Sequence, residues 1–189
     1  MRKEQSNKRT QVVIGVFFIS IMITSVIGYL YAGQTDTTKT INGKTFFQTD
    51  KGWLLGENGV QYYFSYLPSD VQDLSNDQMK AIAHATILSI TTDPADPNPQ
   101  QIAALQFEVG QTLKSNNVFV ETGFTKENKF QSAVITCENA TQTVPVLELT
   151  TGGKTAITSE GNCVIASAGS PTEFSRLRDA LLYSILGII

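Results

Sequence analysis

One uninterrupted apolar stretch, residues 12–33, constrains the chain more than any other feature; it has the sequence VVIGVFFISIMITSVIGYLYAG. It contains no charged residue and no proline, and as an α-helix rising about 1.5 Å per residue it would extend roughly 33 Å. The hydrocarbon core of a bilayer is about 30 Å thick. The sequence therefore predicts a transmembrane helix at residues 12–33, with the lipid bilayer as its partner.

The flanking charges predict how this helix is oriented. Basic residues dominate the segment before it, at Arg2, Lys3, Lys8 and Arg9. Because positive residues stay on the cytoplasmic side, the N-terminus is expected inside and the C-terminal domain outside, as a single-pass membrane protein. A cleaved signal peptide is the alternative, but bulky residues (Tyr29, Leu30 and Tyr31) stand where a cleavage site needs small ones.

The charge of the remaining chain excludes one class of partner. Four of the 14 basic residues and one of the 17 acidic residues lie in the first eleven positions, which leaves the rest with a net charge of about −6. Nucleic-acid binding needs a positive surface. We therefore expect no nucleic-acid partner.

Turn signals and strand-forming runs divide the outer part of the chain. Asn-Gly pairs at 42–43 and 58–59 separate aromatic-rich runs, which predicts an antiparallel β-meander. Its aromatic residues either form core or offer a sugar-binding platform: Phe46, Phe47, Trp53, Tyr62, Tyr63, Phe64 and Tyr66. The expected segments are a basic tail (1–11), the anchor (12–33), a spacer (34–40), the meander with a linker (41–82) and an α/β part (83–189).

The α/β part begins with a nearly continuous apolar run at 84–92, typical of a strand buried on both faces. An amphipathic helix is expected at 100–114 and a strand at 118–122, which together predict a parallel pair joined by a crossover. Further strands are expected at 133–137, 144–150, 154–158 and 163–168, with a hairpin turn at Gly152-Gly153. A last helix begins after Ser170-Pro171. The fold class is α/β (α+β).

Cys137 and Cys163 both lie in the part expected outside the membrane, where an even cysteine count predicts a disulfide. Closing this loop would contribute roughly 3–4 kcal/mol. A reactive thiol pair or a pair of metal ligands is the alternative. There is no Cys-x-x-Cys, and the single histidine, His84, cannot complete a usual zinc set. No metal and no cofactor is expected.

Two short segments are candidate sites for a ligand or a modification. Asp93, Asp96 and Asn98 place oxygen atoms on one turn after a parallel strand, where α/β sheets bind ligands. Turn formation and helix capping are the alternative role for the same residues. Asn139 begins the sequon Asn-Ala-Thr and is a candidate for N-glycosylation.

The order of these elements, with Thr143-Val-Pro145-Val before a strand and Gly152-Gly153-Lys154 after it, resembles a thioredoxin-type domain. The resemblance covers about residues 83–186 and implies that Val144 and Pro145 form the cis-proline groove of that family. The family's Cys-x-x-Cys is missing from the loop at 93–98. The motifs around Cys137 and Cys163 also resemble archaeal membrane-anchored surface proteins, which implies a location and no activity.

These features predict a non-catalytic binding or structural domain at the cell envelope, with a protein or glycan partner. No catalytic constellation is present: there is no Gly-x-Ser-x-Gly elbow and no phosphate-binding glycine loop. The alternative function is an exported thiol–disulfide protein that uses Cys137 and Cys163.

Overall fold

The computed structural model describes residues 3–32, 37–57 and 59–189. Part of the expected spacer, residues 34–36, and position 58 of the second Asn-Gly turn lie outside the described residues. The chain forms two compact units, Met1–Thr37 and Thr38–Ile189.

The first unit contains helix α1, Lys3–Ala32. This helix begins at Lys3, so it includes charged residues that the sequence analysis assigned to a separate tail. Among the described residues, no helix has both the length and the apolar character that crossing a membrane requires. That finding overturns the predicted N-terminal transmembrane helix at 12–33, which rested on one apolar part of a longer helix.

The second unit begins with a four-stranded antiparallel meander in the order β1-β2-β3-β4. Its strands are β1 (Thr38–Ile41), β2 (Lys44–Thr49), β3 (Gly52–Glu57) and β4 (Val60–Phe64). Asn42 and Gly43 join β1 to β2 and both have positive φ, as a type I′ hairpin turn requires. The meander that the Asn-Gly pairs predicted is therefore present.

Alternation decides which aromatic residues of the meander form core. Phe46 lies opposite Leu55, which lies opposite Tyr62, on the inner face. Phe46 and Phe64 are fully buried and pack on Tyr183, with ring centroids 5.9 and 4.1 Å away. Phe47 and Tyr63 belong to the other face and are about 45% exposed. The aromatic residues of the buried face, such as Phe46 and Phe64, therefore form core. Phe47 and Tyr63 on the exposed face do not.

Two short 3-10 turns and helix α2 (Asp77–Ile82) lead to the second sheet. This sheet has the order β6-β5-β7-β9-β8, in which all neighbours are parallel except β8 and β9. Its strands are β5 (Ile87–Thr92), β6 (Phe119–Phe124), β7 (Val146–Thr151), β8 (Ala156–Glu160) and β9 (Cys163–Ala168). The mixed α/β class that the sequence predicted is confirmed.

Two helices cover one face of this sheet. Helix α3 (Pro99–Ser115) joins β5 to β6, and helix α4 (Phe174–Ile185) follows β9. The apolar side chains of α3 that the 3.6-residue spacing assigned to one side are all buried: Ile102, Leu105, Val109 and Leu113. They pack with Leu88 and Ile90 of β5, Leu147 and Leu149 of β7 and the buried side of α4 in a single core.

Segment 125–145 differs from the sequence prediction, and its part around Ile135 contacts the face of the sheet opposite the two helices. The expected strand at 133–137 is reduced to an isolated bridge between Phe124 and Val134, followed by a 3-10 turn at Cys137–Asn139. Thr91 points to this face and its Oγ1 donates to the carbonyl of Ile135 at 2.7 Å. The path of the segment is therefore set by a side-chain hydrogen bond and by the disulfide, and the strand propensity of its residues does not predict these contacts.

The Gly152-Gly153 turn is also not the hairpin turn that was expected. It connects β7 to β8, but β7 pairs with β9, so β8 lies at the edge of the sheet. The hairpin is formed instead by β8 and β9, around Gly161 with φ 58°. β7 and β8 are consecutive in the chain, but β9 lies between them in the sheet. Parallel pairing with β9 places β7 in the interior of the sheet.

Candidate functional site

The loop at 93–98 lies where the sequence placed it, at the carboxyl end of β5. This strand has β6 on one side and β7 on the other, both parallel to it. The chain leaves β5 toward β6 through α3, and it returns to the opposite side of β5 as β7. Open α/β sheets bind ligands at such a switch in strand order.

Asp96 is engaged in holding this loop to the sheet. Its carboxylate accepts hydrogen bonds from the backbone N–H of Thr151 at 2.8 Å and from the Thr151 hydroxyl at 2.7 Å. The amide of Asn98 donates to the same hydroxyl at 3.0 Å. These contacts tie the loop to the end of β7, so Asp96 and Asn98 have the turn-forming role that was the alternative to ligand binding.

Asp93 is engaged as well. Its Oδ2 pairs with Lys126 Nζ at 2.6 Å, and its Oδ1 accepts from the backbone N–H of Ala95 at 2.9 Å. The hydrogen bond from Lys126 lowers the pKa of Asp93. Asp93, Asp96 and Asn98 thus all have partners within the protein, and ligand binding at this loop stays a prediction.

A cavity of about 360 Å³ opens beside this loop. Its walls are mostly apolar, and the residues that line it include Thr92, Pro94, Pro99, Ile102, Phe124 and Phe130. The rings of Phe124 and Phe130 stack with centroids 5.8 Å apart, and Phe130 remains 63% exposed at the rim. Lys129 Nζ lies 5.2 Å from the Phe130 ring. We call this the Thr92 pocket.

Thr92 lines the pocket and carries a buried hydroxyl without a partner among the described residues. The residue is only 6% exposed, and its Oγ1 has no hydrogen-bond partner in the part of the chain that the structure describes. Leaving a buried hydroxyl unpaired costs about 1–3 kcal/mol. A group that lines a cavity at this cost is a candidate contact for a ligand that enters the cavity.

Sequence reasoning missed most of this pocket. It identified the loop after β5 but not Thr92, Phe124 or Phe130. The position of Thr92 at the end of a buried strand was a usable signal, because buried polar groups normally have partners. No local signal identified Phe130, which comes from a segment whose path depends on tertiary contacts.

The predicted disulfide is confirmed. Cys137 and Cys163 are bonded, with their Cα atoms 5.2 Å apart. Cys163 is the first residue of β9 and is fully buried, whereas Cys137 lies in the half-buried 3-10 turn of segment 125–145. The bond therefore fastens that segment to the sheet.

Glu148 lies beside the disulfide, and the sequence analysis did not identify it. It is half-buried in the middle of β7, and its Oε2 is 3.5 Å from Cys137 Sγ. Burial raises the pKa of Glu148, and the negative charges of Asp93 and Glu160 raise it further. A carboxylate between the apolar residues Leu147 and Leu149 of a strand was the available signal.

The remaining predicted residues lie apart from the pocket. The carbonyl of Pro145 accepts from the N–H of Ser89 at 3.0 Å, which aligns the start of β7 with β5. No peptide bond among the described residues is cis, so the bond between Val144 and Pro145 is trans and differs from the cis proline that the resemblance implied. Asn139 is exposed, and its Oδ1 accepts from the N–H of Thr136 at 2.8 Å; its glycosylation stays a prediction.

No protein-family model, curated protein or solved structure matches this chain. The resemblances to thioredoxin-type domains and to archaeal surface proteins therefore stay predictions.

Proposed function

We propose that this protein is a non-catalytic binding domain that holds an aromatic side chain with a hydrogen-bonding group, Trp or Tyr, of a protein partner in the Thr92 pocket. The observation that carries the proposal is an apolar cavity lined by Thr92, whose buried hydroxyl has no partner among the described residues. The cavity is within the usual size range of ligand pockets, about 300–1,000 Å³. A bound group that hydrogen-bonds Thr92 removes the cost of the unpaired hydroxyl.

The chemistry of the pocket favours a protein side chain over a glycan. A sugar needs several polar contacts, but both carboxylates at the rim are occupied, Asp93 by Lys126 and Asp96 by Thr151. The stacked rings of Phe124 and Phe130 offer apolar surface instead. Aromatic residues are enriched in the buried cores of protein interfaces.

The disulfide supports a location outside the cytosol. Structural disulfides persist in oxidising compartments and are rare where thiol systems keep cysteines reduced. The chain is thus proposed to act as an extracytoplasmic binding protein.

The test uses the full chain and two blocked amino acids as probes, N-acetyl-tryptophanamide and N-acetyl-alaninamide, followed by amide NMR shifts. We expect the aromatic probe to shift residues around 92–99 and 124–130 and the alanine probe to leave them unchanged. Thr92→Val should weaken binding of the aromatic probe about two- to tenfold, since one hydrogen bond contributes about 0.5–1.5 kcal/mol. The same change should raise the free energy of unfolding, because it removes a buried unpaired hydroxyl.

Phe130→Ala provides a variant that does not threaten the fold, since its side chain is mostly exposed. Phe107→Ala is its matched control, because Phe107 is 65% exposed and does not line the pocket. We expect only Phe130→Ala to reduce probe binding. Equal binding by both variants, or shifts that map outside the pocket, would refute the proposed site. Selective shifts with a monosaccharide probe would replace the protein partner with a glycan.

A second candidate function, thiol–disulfide exchange, is favoured by one observation: half-buried Glu148 lies against Cys137, where it is positioned to accept or supply a proton. The test is the equilibrium with glutathione. A structural disulfide resists reduction by the glutathione pool, with a potential below about −300 mV. A markedly higher potential would favour the redox function.

A further inference from the structure

Three potential metal ligands converge at the disulfide. The Sγ atoms of Cys137 and Cys163 and one carboxylate oxygen of Glu148 all lie within 4.8 Å of one another. The described residues contain no other group of three such ligands. The three come from separate elements, the 3-10 turn at Cys137–Asn139, the start of β9 and the middle of β7, so the tertiary fold creates the cluster.

The carboxylate of Glu148 is not engaged by any protein donor in the described part of the chain. Its closest polar neighbour is Cys137 Sγ at 3.5 Å, and a disulfide sulfur carries no hydrogen to donate. The carboxylate is half-buried and lies within 4.8 Å of both sulfur atoms, so it is placed to act as a third ligand beside them.

The geometry points to a second state of this cluster, in which the reduced protein binds zinc through Cys137, Cys163 and Glu148. Zinc takes thiolate sulfur at about 2.3 Å and carboxylate oxygen at about 2.0–2.2 Å. Two thiolates and one carboxylate leave the fourth tetrahedral position to water. Tetrahedral coordination places two thiolate sulfurs about 3.8 Å apart, as follows from the Zn–S length. Cys137, on its turn at the surface, is the ligand placed to make this adjustment, while Cys163 is fixed in β9.

The reaction balances with a dithiol as reductant. The dithiol gives two electrons and two protons, the bond between Cys137 and Cys163 breaks, each sulfur becomes a thiol, and the reductant closes its own disulfide. Zinc then displaces the two thiol protons and forms two Zn–S bonds and one Zn–O bond. The disulfide and the zinc-bound state exclude each other, so zinc and oxidation compete for the same two cysteines.

The test begins with the full chain, reduced by a phosphine, desalted without oxygen and titrated with zinc against a chromophoric chelator. We expect one zinc per chain for the reduced protein and none at the site for the oxidised protein. Cobalt replaces zinc as a spectroscopic probe and should give a thiolate charge-transfer band. If the reduced chain loses its circular dichroism signal, zinc should restore it, because metal binding then stabilises the fold.

Two carboxylate variants separate this site from adventitious binding by free thiols. Glu148→Gln should weaken zinc binding at least 10–100-fold, because substituting a residue that only hydrogen-bonds a metal ligand already costs that much. Glu121→Gln is the matched control, since Glu121 lies on the same sheet face and accepts from Ser89, and it should bind zinc as the wild type does. Equal affinity of the wild type and Glu148→Gln, or no zinc binding by the reduced chain, overturns the inference.

The redox equilibrium provides an independent measurement. At a free zinc concentration about 100 times the dissociation constant, reduction should become 100-fold more favourable. For a two-electron couple this is a shift of about 60 mV toward easier reduction, since tenfold corresponds to about 30 mV. An unchanged midpoint with zinc contradicts the inference.

Discussion

Two residues at the candidate sites stand out because they lack hydrogen-bond partners in the described part of the chain. Thr92 lacks a hydrogen-bond partner in a cavity, and Glu148 lacks a donor beside a disulfide, each with respect to the described residues. Asp93 and Asp96, which the sequence analysis named as candidate ligands, have partners and hold the loop in place. Residue type alone did not distinguish the polar residues that have hydrogen-bond partners from those that lack them, because that difference depends on which residues lie near each of them in the fold.

Glu148 gives a pH prediction at this scale. Its folded pKa is raised above the ordinary value of 4.5, chiefly by burial, so the folded state holds its proton more tightly than the unfolded state. Stability from this group is therefore full below the ordinary value and is lost as pH rises toward the folded pKa. We expect the advantage of Glu148→Gln over the wild type in urea unfolding to grow as pH rises above about 4.5 and then to level off. A difference that is constant or shrinks with pH would contradict the assignment.

At the scale of elements, helix α4 is the one that joins the two sheets. Asp179 in α4 is fully buried and accepts from the N–H groups of Ser65 and Tyr66, at 2.7 and 2.9 Å, just beyond β4. Arg178 donates to it at 2.7–2.8 Å and also pairs with Glu108 of α3 at 3.5 Å. Tyr183 of the same helix donates to the carbonyl of Tyr66.

Asp179→Ala should therefore lower the free energy of unfolding by about 3–5 kcal/mol, the usual cost of breaking a buried charge pair by removing one partner. Asp179→Asn should cost less, because its amide oxygen still accepts a hydrogen bond. Asp77→Ala is the control: that side chain is 99% exposed, so its effect should stay within about 0.5 kcal/mol. Urea denaturation of the three variants measures all of these. A loss below about 1 kcal/mol for Asp179→Ala would refute the joining role of this contact.

At the scale of the whole molecule, the disulfide joins the second sheet to segment 125–145, whose residue Phe130 forms a wall of the Thr92 pocket. The bond spans a sequence separation of 26 residues. A loop of that length corresponds to about 3.5 kcal/mol of stabilisation on the loop-entropy account.

Replacing Cys137 and Cys163 together by serine should lower the free energy of unfolding by about that amount. The second sheet should persist, because its core of α3, α4 and the parallel strands does not include segment 125–145. Urea unfolding of both proteins without reductant gives the energy, and amide NMR spectra show which residues shift. Shifts spread through α3 and α4 rather than segment 125–145 would contradict this division.

The sequence by itself determined the elements whose signals are local. The Asn-Gly turns gave the meander, the 3.6-residue spacing gave α3 with its buried face, and the paired cysteines gave the disulfide. Only the tertiary structure decided that β7 pairs with β9, that residues 133–137 form no full strand, and that Thr92, Phe124 and Phe130 meet at one cavity. Turn chemistry and periodicity depend on a few adjacent residues, whereas strand order and the partners of a buried hydroxyl depend on which distant segments pack together.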